Sequence, residues 1–430
     1  MAPSLLSILA ATVVASHLAL AIPTSNHLSE FNPSSHPSSL TDTPLTSKDT
    51  WTINQARSTE ASPDGPLTLA TIYQKYERPI PEDLQSAINR YQKRNALYND
   101  KFAAVEAFQL PVWLGTSQQQ LNLIFDTSSS GIWVVSEEAA NPEMQEAYKP
   151  ADSTESSEMK GYSWGIDQGN GKVASGVVYK DTVTLGAKNP HLVSKEQAIQ
   201  VAKSASGFDK IKGVSGVMGM AFSSRSPIKP EPQPTIFDNL VKDLEESVFS
   251  VNIFRRDYGD VRFGFFDVDE YEGEPGCTDV NTDAGLWNFT IEGLVSDNTP
   301  APTGTEYVIA DTASSMVMLP LSYTSTYYKQ IPDARYSITY GGFVFPCKSK
   351  MPDFPFRVED VDLAIPGENM NFAPVDSEEH LCFGSLQPSN ELGFNIFGNI
   401  AFTAGFVIFD PVEKQIGWAK KQVEKPEEKL

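Results

Sequence analysis

Between about residue 102 and residue 419, apolar side chains come in short runs, many alternating with polar ones, and Gly, Asn, Asp and Pro separate the runs. Alternation places apolar residues on one face of an extended chain, so the pattern predicts strands joined by turns. The clearest runs are residues 173–185, 248–254, 261–266, 343–345 and 406–409. Helical spacing is scarce, with one stretch at 235–244 and a shorter one at 322–329. The expectation is a mainly β protein.

Upstream the texture changes. Leu5 to Ala15 is an apolar run, and Ala19-Leu20-Ala21 follows it before Ile22-Pro23. That is the pattern of a secretory signal peptide cleaved after Ala21, although no Lys or Arg precedes the run. A signal anchor is the rival reading. Residues 22–66 are rich in Ser, Thr, Pro and Asn and cannot bury enough apolar surface to order themselves alone. In residues 67–94, Leu67, Leu69, Ile72, Tyr73, Tyr76, Leu84, Ile88 and Tyr91 are interleaved with Lys75, Arg78, Arg90, Lys93 and Arg94. This basic, partly helical segment precedes an acidic remainder, as an inhibitory prosegment would. Lys93-Arg94 separates the two regimes and is the expected processing site. Past the N-terminus no apolar span is long enough for a transmembrane helix, and the charged tail 420–430 excludes a C-terminal lipid-anchor signal.

Inside the β region one pattern occurs twice. Leu121-Asn122-Leu123-Ile124-Phe125-Asp126-Thr127-Ser128-Ser129-Ser130 is matched by Tyr307-Val308-Ile309-Ala310-Asp311-Thr312-Ala313-Ser314-Ser315, with the second Asp 185 residues after the first. Gly216-Val217-Met218-Gly219 follows the first copy and Asn395-Ile396-Phe397-Gly398 the second; the closing glycines lie 93 and 87 residues after their aspartates. Two features at nearly equal offsets point to duplicated lobes, spanning about 95–266 and 267–430, with one carboxylate from each.

The chain is long enough for two or three structural units, and its formal net charge of −22 argues against nucleic acid or an anionic membrane as main partner. Of the five histidines only His191 and His380 lie beyond the N-terminal stretch, so neither a zinc site nor a Ser-His-Asp triad is readily assembled. The three cysteines, Cys277, Cys347 and Cys382, form no C-x-x-C pair and suggest one disulfide plus one free thiol. Sequence does not prove which two pair; the short loop closed by Cys347 and Cys382 favours those. Asn288-Phe289-Thr290 is a sequon and Asn288 a glycosylation candidate; the rival readings are an unmodified sequon and a strand segment.

If the two lobes pack about a pseudo-twofold axis, Asp126 and Asp311 face each other and share one proton, because two like charges in a cleft do not both ionise easily. The charged partner can deprotonate a water while the protonated one polarises a carbonyl, which hydrolyses an amide without metal or cofactor. Ser129 and Ser314 are placed to orient the carboxylates, and Thr127 and Thr312 to bridge the lobes. A single Asp-Thr-x-Ser is commonly no more than a capped turn. Two copies with matched glycines are harder to read that way.

From about Phe108 to Lys420 the chain resembles the pepsin family of aspartic endopeptidases, most closely its secreted fungal, penicillopepsin-like branch. The resemblance rests on residues 125–134, Ala174-Ser175-Gly176, residues 216–222, Ala310-Asp311-Thr312, Leu381-Cys382-Phe383-Gly384, Asn395-Ile396-Phe397-Gly398 and Gly417-Trp418-Ala419. It implies a bilobal β fold with an interlobe cleft for an extended peptide, secretion as a zymogen, acid-pH activity and a Cys347–Cys382 disulfide. The chain departs from the family at several points. Its usual Asp-Thr-Gly is Asp-Thr-Ser at Ser128 and Asp-Thr-Ala at Ala313. Gln168-Gly169-Asn170-Gly171 stands where the mobile flap carries Tyr-Gly-Asp-Gly, and Gly131 and Asn399 replace acids.

The expected protein is therefore a secreted, monomeric aspartic endopeptidase of protein or peptide substrates. It has signal peptide 1–21, inhibitory prosegment 22–94, catalytic Asp126 and Asp311, supporting or substrate-binding Thr127, Ser129, Thr312, Ser314, Gln168 and Gly169, and no cofactor or metal. The alternative is a pepsin-fold protein with weak or no proteolysis, retained for binding or a specialised step.

Overall fold

The structure, a computed structural model, describes residues 51–56, 64–96, 107–139, 145–167, 173–186, 192–206, 213–255, 258–293, 304–375 and 380–422. The signal-peptide residues, the cleavage point after Ala21 and the flap residues Gln168 and Gly169 lie outside these. The described chain is mainly β, in sheets of 13, 7 and 4 strands. No described helix is long and apolar enough to cross a membrane.

The duplicated pattern folds into a duplicated arrangement. Strand Gln119–Asp126 runs parallel to Gly216–Met220, which places Asp126 opposite Gly219, and Ser130–Val135 pairs antiparallel with the other side of Gly216–Met220. In the second half Thr305–Asp311 runs parallel to Asn395–Gly398, placing Asp311 opposite Gly398, and Val317–Leu319 pairs antiparallel there. The glycines that mark each repeat thus sit opposite its aspartate. A Cβ on Gly219 would come within 2.4 Å of the Ser129 carbonyl oxygen, and one on Gly398 within 2.3 Å of the Met316 carbonyl oxygen. Any side chain there would push the aspartate loop away.

The 13-stranded sheet crosses the division placed near residue 266. Phe249–Arg255 of the first half pairs with Phe406–Asp410 of the second, which continues to Gln415–Lys421 and Tyr271–Asp279. Aromatic side chains fill the junction. Phe249 stacks on Phe409 at 4.5 Å, Trp287 meets Phe409 edge-on at 4.9 Å, and the Trp287 indole donates to the Met220 carbonyl at 2.9 Å. Such fully buried rings each contribute about 1.5–3 kcal/mol by removal from water. They hold the two aspartate loops in fixed relation.

Several elements differ from the sequence pattern. The stretch 235–244 is a short helix, Ile236–Leu240, closed by a capping box between Thr235 and Asp238 and followed by a 3-10 turn. The other predicted helix is Leu321–Tyr328. Within the Ser- and Pro-rich N-terminal region, Trp51–Ala56 is a strand between Tyr258–Phe263 and Ala107–Leu114. Its order comes from backbone pairing with the body, which composition of the segment alone does not foretell. The basic segment forms two helices, α1 (Gly65–Lys75) and α2 (Glu82–Ala96), so Lys93-Arg94 falls in the last turn of α2.

Candidate active site

Asp126 and Asp311 each end an apolar strand, and the chain turns immediately after them. Both are buried, 5% and 0% exposed. The threonines that follow lock the loops together: the Thr127 amide donates to Thr312 Oγ1 (3.1 Å) and the Thr312 amide to Thr127 Oγ1 (3.0 Å). Each hydroxyl in turn donates across the junction, Thr127 to the Ala310 carbonyl (2.8 Å) and Thr312 to the Phe125 carbonyl (2.9 Å).

The carboxylates are held from within their loops. At Asp311 the Ala313 amide donates to Oδ1 (3.0 Å) and the Ser314 hydroxyl to Oδ2 (2.5 Å). At Asp126 the Ser128 amide and the Ser128 hydroxyl both donate to Oδ1, each at 2.8 Å. Ser129, the other serine expected at this carboxylate, differs in its geometry. Its buried hydroxyl makes no hydrogen bond of ordinary geometry, although it lies close enough to favour the ionised Asp126. The Ser128 side chain, one residue earlier, makes the hydrogen bond of ordinary geometry.

Helix α1 delivers a cation and a phenol to the pair. Asp64 caps its N-terminus by accepting from the Leu67 amide (2.8 Å), Pro66 sits in its first turn, and Leu69, Ile72 and Tyr73 are buried. At its end, Lys75 Nζ donates to Asp126 Oδ1 (3.1 Å) and Asp311 Oδ1 (2.8 Å), and the Tyr76 hydroxyl donates to Asp311 Oδ2 (2.9 Å). One ammonium therefore reaches both carboxylates. Glu77 then takes a positive φ of 54°, and the chain turns toward α2. Burial alone would lower the Lys75 ammonium, but the two carboxylates outweigh it and raise it. Burial would raise Asp126, yet the Lys75 charge and the two Ser128 donors bring it below the ordinary carboxylate range. Tyr76 is pushed up by burial and by both aspartates. Every group hydrogen-bonded to the two carboxylates in this arrangement is a hydrogen donor.

A profile of the eukaryotic aspartyl proteases matches residues 107–421. The chain belongs to that family. It is 34% identical to endothiapepsin of Cryphonectria parasitica over 382 residues, 86% of this chain and 90% of that protein. It is 34% identical to aspergillopepsin-1 of Aspergillus fumigatus over 375 residues (86% and 92%) and to penicillopepsin-1 of Penicillium rubens over 356 residues (82% and 88%). The fungal pepsin-like branch and the bilobal fold are thereby shown, and the protein is an aspartic-type endopeptidase.

Other residues singled out in the protease sequence fall as follows. Cys347 and Cys382 are joined by a disulfide in the 4-stranded sheet, and Cys277 is free. Burial first, then nearby acids, push the Cys277 thiol up to about 11, which leaves it a poor nucleophile. Asn288 begins strand Asn288–Gly293, opposite Ile309, so the sequon lies in a sheet. Of the expected flap the described part is a strand pair, Ser157–Asp167 with Val173–Leu185, in which Asp167 lies opposite Val173. Trp164 of this pair lies against Trp133, ring centroids 5.9 Å apart.

Lys75 and Tyr76 are the functional candidates that sequence reasoning did not single out. Both were part of the basic segment, but nothing in their spacing marks them from Arg78 or Arg90. The adjacent Lys-Tyr pair at the end of a capped amphipathic helix is the one local signal.

Proposed function

We propose that the protein is a secreted zymogen whose mature form hydrolyses peptide bonds with a water activated between Asp126 and Asp311. The observation that carries this is the convergence of both carboxylates on a single ammonium, Lys75, at 3.1 and 2.8 Å. Two acids that close, each at the end of its own lobe's strand, hold one proton between them once the lysine leaves. The charged carboxylate takes a proton from water as the water oxygen bonds to the peptide carbonyl carbon. The protonated carboxyl gives its proton to the carbonyl oxygen. Collapse of the tetrahedral species, with a proton delivered to the leaving nitrogen, breaks the C–N bond and regenerates the acid pair. Thr127 and Thr312 keep the loops at fixed separation, and Ser314 orients Asp311. The flap segment with Gln168 and Gly169 would cover the substrate.

In this reading residues 1–21 direct secretion to the extracellular space and residues 22–94 form the prosegment. Lys75 and Tyr76 occupy the place of substrate and water. α2 fastens the prosegment to the second lobe: the Tyr336 hydroxyl meets Asp83, Arg90 reaches the Thr339 carbonyl, and Leu84 lies so close to Gly341 that a Cβ there would come within 2.5 Å of its backbone. Processing near Arg94 requires the end of α2 to unwind, because proteases cut extended chain. The mature protein acts as a monomer without cofactor. The reading as a fold member with little proteolysis loses support, since Ser128 and Ala313 both keep the loop amide on their carboxylate.

The test is acid-pH cleavage of a peptide library by the processed protein, with Asp126→Asn and Asp311→Asn as controls. Activity lost in both variants supports the dyad. Cleavage that persists in either one sinks it.

A further inference from the structure

The two carboxylates are equivalent in the repeat but not in their hydrogen bonding. The oxygen that each turns toward Lys75 is its Oδ1. On Asp311 this oxygen receives one loop donor, the Ala313 amide at 3.0 Å; on Asp126 it receives two, the Ser128 amide and hydroxyl at 2.8 Å each. Position 313 carries a methyl group and has no hydroxyl to offer. The Ser314 hydroxyl acts on the opposite oxygen of Asp311. The asymmetry thus falls on the two oxygens that Lys75 bridges.

We propose that Ser128 is a positioning residue whose hydroxyl favours the charge on Asp126 within the dyad. This rests on the dyad reading given above. A donor to a carboxylate favours its charged form, and the effect on a buried pair is to bias where the single proton resides. The donor belongs to the aspartate turn and not to α1, since Ser128 lies two residues from Asp126 in the same turn. Its carbonyl is held by Arg225 Nε at 3.0 Å, which fixes the turn from behind. Among the described residues, the charged or titratable groups facing this turn are Lys75 and Tyr76 from α1, Asp311 from the other loop, and Arg225 from the 3-10 turn Ser223–Arg225. Removal of α1 leaves Asp311 and Arg225, so the Ser128 donors become a larger share of what stabilises the Asp126 charge.

The consequence is a specific change in the pH profile. The acid limb of kcat/KM follows the first proton lost from the dyad, and the other limb follows the second. If Ser128 stabilises charge on Asp126, deleting its hydroxyl raises the first apparent pKa. It leaves the second unchanged, since Asp126 is charged both before and after that step.

The experiment compares the processed wild type with Ser128→Ala and Ser128→Gly, using kcat/KM on one peptide substrate from about pH 2 to pH 6. Both variants are expected to move the acid limb upward by roughly half to one pH unit, with the other limb in place. Ser128→Thr, which restores a hydroxyl, is expected to move it back. An acid limb unmoved in both hydroxyl-less variants, or two limbs displaced together, overturns the proposal. Ser128→Gly serves as the second measurement should the alanine variant fold poorly. Asp126→Asn separates this outcome from failure of the dyad itself: an inactive Asp126→Asn with an unmoved Ser128→Ala profile refutes only the role of Ser128.

Discussion

Thr127 and Thr312 each accept the other's backbone amide on their side-chain oxygen, at 3.0 and 3.1 Å, so the turn after one carboxylate is built on the turn after the other. Valine keeps the shape of threonine but can neither accept nor donate. Thr312→Val therefore strands the Thr127 amide and the Phe125 carbonyl in a buried site, at a cost of about 1–3 kcal/mol for each group left unpaired. The expected outcome is a lower denaturation midpoint and a fall in kcat larger than any rise in KM, because the loss is in the alignment of the dyad. A variant with wild-type stability and kcat would show that the cross-linked turns contribute nothing.

Lys75→Met removes the cation that reaches both carboxylates. Breaking a buried pair by deleting one partner costs about 3–5 kcal/mol, as an upper figure, since the two acids can respond by taking up a shared proton. The unprocessed variant should melt below the wild type near neutral pH and should cleave added peptide before the prosegment is removed. Tyr76 alone, with a neutral hydroxyl on Asp311, is not expected to keep the cleft closed. A variant as stable and as inactive as the unprocessed wild type would place the inhibition elsewhere, in α2.

The same contact sets a pH window. Asp126 lies below its ordinary value in the folded chain, so its contribution is present above the unfolded carboxyl pKa of about 3.9 and is lost as pH falls through the folded value. Lys75 is raised, so its contribution is complete below about 10.4 and lost only as pH rises through the folded value. In the proposed zymogen, acid loosening of α1 is expected to originate in the carboxylates. The difference in melting temperature between unprocessed wild type and Lys75→Met should be steady from about pH 5 to pH 7 and shrink below about pH 4. A gap that stays open in acid would contradict this.

How much of this was legible beforehand follows from what each feature asks of the residue. Gly219 and Gly398 could be read because backbone passes where a Cβ would stand, so only one residue type serves, and it recurs at a fixed offset. The aspartates were readable for the same reason, at the end of two matched apolar strands. The roles of Ser128 and Ser129 were not. Both are serines in one tight turn, and only the side-chain directions distinguish the one that makes the hydrogen bond of ordinary geometry to Asp126. Lys75 was hidden among other cations because its partners lie 51 and 236 residues away. Strand Trp51–Ala56 was hidden because its partners lie in other parts of the chain.

The disulfide offers a way to separate the prosegment's seat from the dyad. Cys347 and Cys382 are 35 residues apart and tie strand Gly342–Pro346 to Leu381–Gly384, which already pair through Phe345 and Cys382. Closing a loop of that length removes unfolded-state entropy equivalent to about 4 kcal/mol, an amount that measured bonds approach or fall below. Neither cysteine is in the sheets that carry Asp126 and Asp311; their 4-stranded sheet instead presents Tyr336 and Gly341 to α2. Replacing both, as Cys347→Ser with Cys382→Ala, should lower stability by about 2–4 kcal/mol and make the prosegment easier to release. The processed enzyme should nevertheless keep its kcat at temperatures where it remains folded. Loss of kcat in the folded variant would mean that the second lobe transmits strain from its outer sheet to the Asp311 loop, and that the two regions do not behave as separable parts.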